Sequence, residues 1–310
     1  MMPARDDATQ SKTAESDLRA SLLAMLGFVL VATAQVTNMI LARGLAGAVP
    51  PFTLAFFRWT IIAAGLAPLA IAEVRSGRLP LRGNALPILA AGFLGMFLCG
   101  GPVYIAGITT TAINIALIMS LSPIVVLLLS RIFGLERIGG LQLLGMALAL
   151  LGALLVVSKG HLRTFVELRT ASGDLLVVGA MLGWSGYTLV QSRVATGATL
   201  LARIAAFAAA GALFTLPIAI AEIWRAPQSA FTSRALGAYL FAGLVPGLFA
   251  YAGFAYLGTR FGSVRASIVL YLGPIAGALL SWAILGEPPT LIHLIGGTLI
   301  LGGVWASLKK

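Results

Sequence analysis

The sequence predicts an all-α polytopic membrane protein: ten transmembrane helices arranged as two inverted five-helix repeats around a central cavity. Three observations predict it. The 310 residues are 59% apolar and only 10% charged, whereas a water-soluble domain carries about a quarter Asp, Glu, Lys and Arg. The apolar residues fall in blocks of about twenty, long enough to span the roughly 30 Å hydrocarbon core as a helix. The chain also repeats itself at a constant offset. Pro123 recurs as Pro274, Glu136 as Glu287, Gly145 as Gly296 and Gly152 as Gly303. Internal repeats of this kind commonly build membrane proteins with a central site.

The apolar blocks lie at 21–41, 53–72, 86–107, 110–132, 138–158, 173–192, 200–221, 236–258, 262–285 and 290–307. They are continuous, rich in Leu and Ala and punctuated by Gly, the texture of packed membrane helices rather than of a barrel. They divide the chain into a polar, mobile cytoplasmic tail (1–20), a first repeat (21–158), a connecting loop (159–172) and a second repeat (173–310). Five spans per half make the second half enter the membrane upside down, so the halves are related by a pseudo-two-fold axis in the membrane plane. The first spans support the match: Ala24-Met25-Leu26-Gly27-Phe28 resembles Ala180-Met181-Leu182-Gly183-Trp184, which sets Gln35 opposite Gln191. Gly92 falls opposite Gly243 in the third spans, while the second spans align poorly.

Polar residues inside a bilayer are costly, so their positions carry information. On the first span Gln35 and Asn38 share a face; on the sixth, Trp184, Tyr187 and Gln191 make a stripe. Two readings stand for both. They line a cavity, or the amides bond between helices and the aromatics anchor at the lipid interface. Arg58, near the start of the second span, either snorkels to the surface or anchors a carboxylate in a cavity. Tyr104, Asn114 and Ser120 lie on the third and fourth spans, Tyr251, Tyr256 and Tyr271 on the eighth and ninth. Tyr271 is the repeat partner of Ser120, and Arg265 of Asn114. Phenol hydroxyls would give orientation without fixed charge. Pro123 and Pro274 stand mid-helix, where each removes a backbone donor; they are hinges for rocking or static bends. The Gly145, Ala149, Gly152 face and its copy at Gly296 and Gly303 suit close helix packing. Glu136 and Glu287 sit in turns and suit capping of the next helix. Cys99 reads as a small buried hydrophobe, and His293 as an interfacial hydrogen-bonding group.

The net charge of +11 is scattered over short loops and forms no nucleic-acid patch. With the N-terminus inside, the cytoplasmic segments hold fourteen Lys and Arg residues and the outer loops six. That bias puts both termini in the cytoplasm. The first apolar run is too long for a secretory signal.

These residues resemble the drug/metabolite transporter superfamily, and within it the EamA family. The resemblance rests on the small residues, the proline of the fourth and ninth spans, the Leu-Gly-Glu at 285–287 with its variant Gly134-Leu135-Glu136, and the glycine-spaced fifth helices. It covers residues 21–308. It implies a ten-helix basket in which the first, third and fourth helices of each half line a central cavity. It implies a multi-pass transporter of small molecules in the inner (plasma) membrane, complete as a monomer though free to oligomerise. The family handles amino acids, sugars, nucleobase-like metabolites and drugs. A neutral cavity with amides and aromatics favours an amino-acid exporter, as in the YddG-like branch.

Absences narrow the chemistry further. All ten acidic residues, Asp174 among them, fall in loops, tails or helix ends. That speaks against proton-coupled export of cationic drugs and favours downhill export. There is no Walker sequence, no His-Glu-x-x-His and no Cys/His cluster, so neither ATP-driven pumping nor metalloprotease chemistry is expected. No cofactor or metal is called for, and a membrane-embedded enzyme or scaffold is the rival to transport.

Overall fold

A computed structural model describes residues 4–133, 139–157, 172–191, 193–194, 197–261 and 268–307. The described residues are helical throughout, with short turns. In chain order the main helices are α1 (Ala4–Gly44), α2 (Pro51–Arg75), α3 (Ala85–Ala106), α4 (Ala112–Ile132), α5 (Gly140–Val157), α6 (Ser172–Gln191), α7 (Leu200–Arg225), α8 (Ser233–Phe261), α9 (Ile268–Leu285) and α10 (Leu291–Ser307). Among the described residues, seven of these are long and apolar enough to cross a membrane: α1 (over Met25–Gly44), α2, α3, α4, α6, α7 and α8. The others are shorter apolar helices. The outer face of α5 exposes Leu143, Leu144, Leu150 and Leu151, a surface suited to lipid and costly in water. The polar tail differs from expectation: helix α1 already runs from Ala4.

Local chemistry sets where the helices begin. Thr111, Thr199 and Thr232 cap α4, α7 and α8, each hydroxyl accepting the amide three residues on. Such a cap contributes about 1 kcal/mol. Helix α2 starts on Pro51, whose missing N–H costs nothing at a helix start.

Two helix pairs organise the packing. Helices α5 and α10 run antiparallel with glycine against glycine. A Cβ on Gly152 would stand 2.6 Å from the Gly296 carbonyl oxygen, and one on Gly303 would stand 2.4 Å from the Gly145 carbonyl oxygen. Only glycine permits that approach. Helices α2 and α7 also run antiparallel, and each feeds a carboxylate to the other's start. Glu222, late in α7, accepts the Thr53 amide at 2.7 Å and its hydroxyl at 2.9 Å. Glu73, late in α2, accepts the Thr199 amide at 2.9 Å and its hydroxyl at 3.0 Å. A carboxylate at a helix N-terminus satisfies orphan amides and meets the positive end of the dipole. Glu73 is 1% exposed, so these bonds are what make its burial tolerable.

Four interruptions shape the interior. Helix α3 widens into a π segment at Gly92–Phe97 and then breaks, restarting at Gly101, and α8 widens into another π segment at Leu244–Phe249. Helix α4 breaks after Met119 and restarts at Ser122, with Pro123 in its first turn. Pro123 is therefore not mid-helix as expected. Its ring cannot donate to the Met119 carbonyl, and the Ser122 hydroxyl takes over that carbonyl at 2.6 Å. Pro274 does lie inside continuous α9, so the two prolines sit in different local structures.

Glu287 also departs from expectation. It does not cap α10; it pairs with Arg43 at 2.7 Å and accepts from the Ser281 hydroxyl at 3.1 Å. Thr290 and His293 close the start of α10 instead. Glu136 and Arg265 lie outside the described residues.

Candidate functional site

Helices α1, α2, α3, α4, α6, α8, α9 and α10 enclose a cavity of about 620 Å³, within the usual range for small-ligand sites. Its wall is mostly apolar: Met39, Val103, Ile115, Met119, Val126, Val269, Leu301 and Val304. The polar lining comes from Gln35, Asn38, Arg58, Trp59, Ser120, Ser122, Trp184, Thr188 and Tyr251. The breaks in regular helix meet here. Gly95 and Pro246 of the two π segments line it, as do Pro123 at the α4 break and Pro274. A widened turn leaves backbone groups for other partners. The Met96 carbonyl accepts the Trp59 indole N–H at 2.8 Å.

Arg58 is the charged group of this cavity. It is 6% exposed. Its guanidinium lies 4.4 Å from the centre of the Trp59 ring, and one terminal nitrogen comes within 3.5 Å of the Pro246 carbonyl. Its Nε has no hydrogen-bond partner, and among the described residues no carboxylate pairs with it. A buried cation in this condition has strong residual demand for an anion. Arg58 does not snorkel to the surface.

The predicted residues divide. Gln35, Asn38, Arg58, Ser120, Trp184, Tyr251, Pro123 and Pro274 lie on the cavity. Tyr104 stands behind it and donates to Asn38 Oδ1 at 2.6 Å, which holds that amide. Asn114 is buried away from the lining. Tyr187 is buried against Phe207, ring to edge, and against Gly95. Gln191 ends α6, its carbonyl 3.5 Å from an Arg203 nitrogen, and does not line the cavity. Tyr256 is 63% exposed on the outer face of α8. The Tyr271 side chain lies outside the described residues. Sequence reasoning missed Trp59, Thr188 and Ser122. Trp59 adjoins Arg58, and Thr188 is one turn beyond Trp184, so a helical projection could have found both.

The lining residues run from mid-helix toward the C-terminal ends of α4 and α6 and the start of α9. The opposite end, which carries the α9–α10 turn, is sealed by polar contacts. Arg43 pairs with Glu287 and donates to the Gly107 carbonyl at 3.1 Å, while Arg234 donates to the Gly44 carbonyl at 3.0 Å. Beneath them Asn114 joins two titratable groups. Its Oδ1 lies 3.2 Å from His293 Nε2, and its Nδ2 donates to Asp174 Oδ1 at 3.4 Å. The Thr110 hydroxyl donates to the same carboxylate oxygen. Asp174 lies at the start of α6 and is fully buried.

The family described as the EamA-like transporter family matches residues 22–158 and again residues 171–308. An uncharacterized transporter of Archaeoglobus fulgidus is 27% identical over 84% of this chain and 88% of its own length. The uncharacterized transporter YdfC of Bacillus subtilis is 29% identical over 86% and 84%. A protein of Streptantibioticus cattleyicolor named as a probable terminal-alkyne amino-acid exporter is 27% identical over 81% and 82%. One crystal structure matches with a TM-score of 0.58 at 24% identity, over 94% of this chain and 97% of that one, a likeness of fold alone.

Proposed function

This chain belongs to the EamA-like transporter family, and from that premise we propose that it exports neutral amino acids with apolar or aromatic side chains. The observation that carries the substrate reading is Arg58: a buried guanidinium on the cavity wall, without a carboxylate partner among the described residues. A substrate carboxylate supplies the missing anion, and guanidinium binds carboxylate with two parallel bonds. Asn38 and Gln35 offer acceptors to an ammonium group, and the apolar wall with Trp184 receives the side chain. The relative named for amino-acid export points the same way.

The mechanism follows from symmetry. Ten spans in two inverted five-helix repeats rock about the cavity, which opens to each side in turn. The reciprocal α5–α10 glycine contacts and the reciprocal α2–α7 carboxylate caps support a two-fold axis between the halves. Exchanging the repeats turns each of these contacts into its partner. One chain holds both halves, so a monomer suffices. The protein resides in the inner membrane with both termini cytoplasmic, as the loop charges favour.

Uptake of radiolabelled solutes into proteoliposomes tests the reading. Phenylalanine, leucine or another neutral amino acid is expected to enter faster than into protein-free vesicles. Entry of a sugar or nucleobase, with no amino acid entering above that background, would assign the protein to another metabolite class.

A further inference from the structure

The sealed end holds a chain of polar groups that the cavity does not use. We propose, resting on the transporter reading, that the His293–Asn114–Asp174 chain is a proton-binding site that couples proton movement to the opening of this end.

The hydrogen bonds fix the protonation pattern of the sealed state. The Thr290 backbone amide lies 3.1 Å from His293 Nδ1, and an amide can only donate, so Nδ1 is the acceptor. The ring hydrogen therefore sits on Nε2 and points to Asn114 Oδ1. The Asn114 amide then donates to Asp174, as does Thr110. Every donor in the chain runs toward the buried carboxylate, and the imidazole is neutral.

A proton arriving at His293 has one place to bind, Nδ1. Bound there, it sets an N–H against the Thr290 N–H, so the amide bond to Nδ1 is lost and the turn must rearrange to let the Thr290 hydroxyl, 3.2 Å from the same nitrogen, accept instead. The proton and the Thr290 amide bond exclude one another. The same turn carries Glu287, which holds Arg43 across the end of α1. Because that bond excludes the proton, proton binding weakens the closed turn by the same free energy and so favours opening. Other charged groups act in the same direction. Glu287 and Asp174 both attract a cationic His293, and Arg43, the cation at this end, is already paired with Glu287. His293 is partly exposed and can take its proton from water, while Asp174 is buried beneath it. Asn114 adjoins Ile115 of the cavity wall, so a shift here reaches the cavity.

Cys99 supplies a test that needs no substrate. It is the sole cysteine of the chain and lines the cavity. A membrane-impermeant methanethiosulfonate reagent is applied to cells and to inverted vesicles containing the full-length protein, between about pH 5 and 8. The ratio of labelling rates from the Glu287 side and from the opposite side is measured. Thiolate content cancels in that ratio. The ratio is expected to rise several-fold as pH falls in the natural protein and to stay flat in His293→Gln and Asp174→Asn. Unchanged labelling of both variants from the opposite side shows that they fold. A flat ratio in the natural protein, or an equal rise in both variants, overturns the proposal. A pH-dependent ratio together with no amino-acid uptake keeps the proton site and rejects the substrate instead.

Discussion

Gly152 and Gly296 meet backbone to backbone: a Cβ on either would lie within 3 Å of the other's carbonyl oxygen, at 2.6 and 2.9 Å. These two glycines belong to different copies of the repeat, and so do Gly145 and Gly303, where a Cβ on Gly303 would stand 2.4 Å from the Gly145 carbonyl oxygen. The duplicated glycines thus exist for each other. Contact this close gains dispersion energy along two backbones, the main attraction available where lipid is as apolar as the helix.

Gly303→Val is therefore expected to overpack the α5–α10 contact, where the nearest atoms are the Gly145 carbonyl oxygen and the Ala149 nitrogen. Backbone cannot give way as a side-chain tip can. The expected loss is about 1–3 kcal/mol or more, read as a lowered thermal midpoint in detergent. Gly302→Ala, whose Cβ meets nothing within 4 Å, should leave the midpoint near its original value.

Glu73→Gln should destabilise by about 1–3 kcal/mol, because it weakens charge-assisted bonds to the Thr199 amide and hydroxyl inside the protein. A double-mutant cycle with Thr199→Val should return a coupling energy of about 0.5–3 kcal/mol. Additive effects would show that the two groups stabilise the fold independently.

Gln35→Leu should impair transport with expression intact, whereas Gln191→Leu should not. The two residues match in the repeat, yet only Gln35 lines the cavity. Equal loss in both variants, measured as initial uptake rate at matched protein level, would contradict this placement.

That pair shows what the sequence could and could not convey. Composition marked the membrane, and except at the starts of α1 and α9 the bounds of the apolar blocks fall within a few residues of the helices, because burial in lipid constrains every residue of a span. Faces were harder to read. Trp184 and Gln191 share a face, but Gln191 lies about 10 Å further along the helix, beyond the end of the cavity at Thr188. Tyr187 is turned about 60° from Trp184 and meets α7 instead. Tyr256 is five residues past Tyr251, which puts it near the opposite face of α8. The second spans aligned poorly because what they share is a reciprocal carboxylate cap, not a residue pattern: Thr53 takes its partner from late in α7, and Thr199 from late in α2. Asp174 lies at a helix start as expected, but a helix start need not be a wet surface, and here it is fully buried. In this fold the starts of α4, α6 and α10 converge around Asn114.

The role of Arg58 in holding a substrate carboxylate is tested by counterflow of labelled phenylalanine in proteoliposomes, comparing the natural protein with Arg58→Gln and using phenethylamine, which lacks the carboxylate, as competitor. Phenylalanine is expected to exchange in the natural protein, the substitution to cut its rate tenfold or more, as for the loss of about 1.4 kcal/mol, and phenethylamine to compete poorly. Undiminished exchange in Arg58→Gln, or phenethylamine competing as well as phenylalanine, would contradict that role.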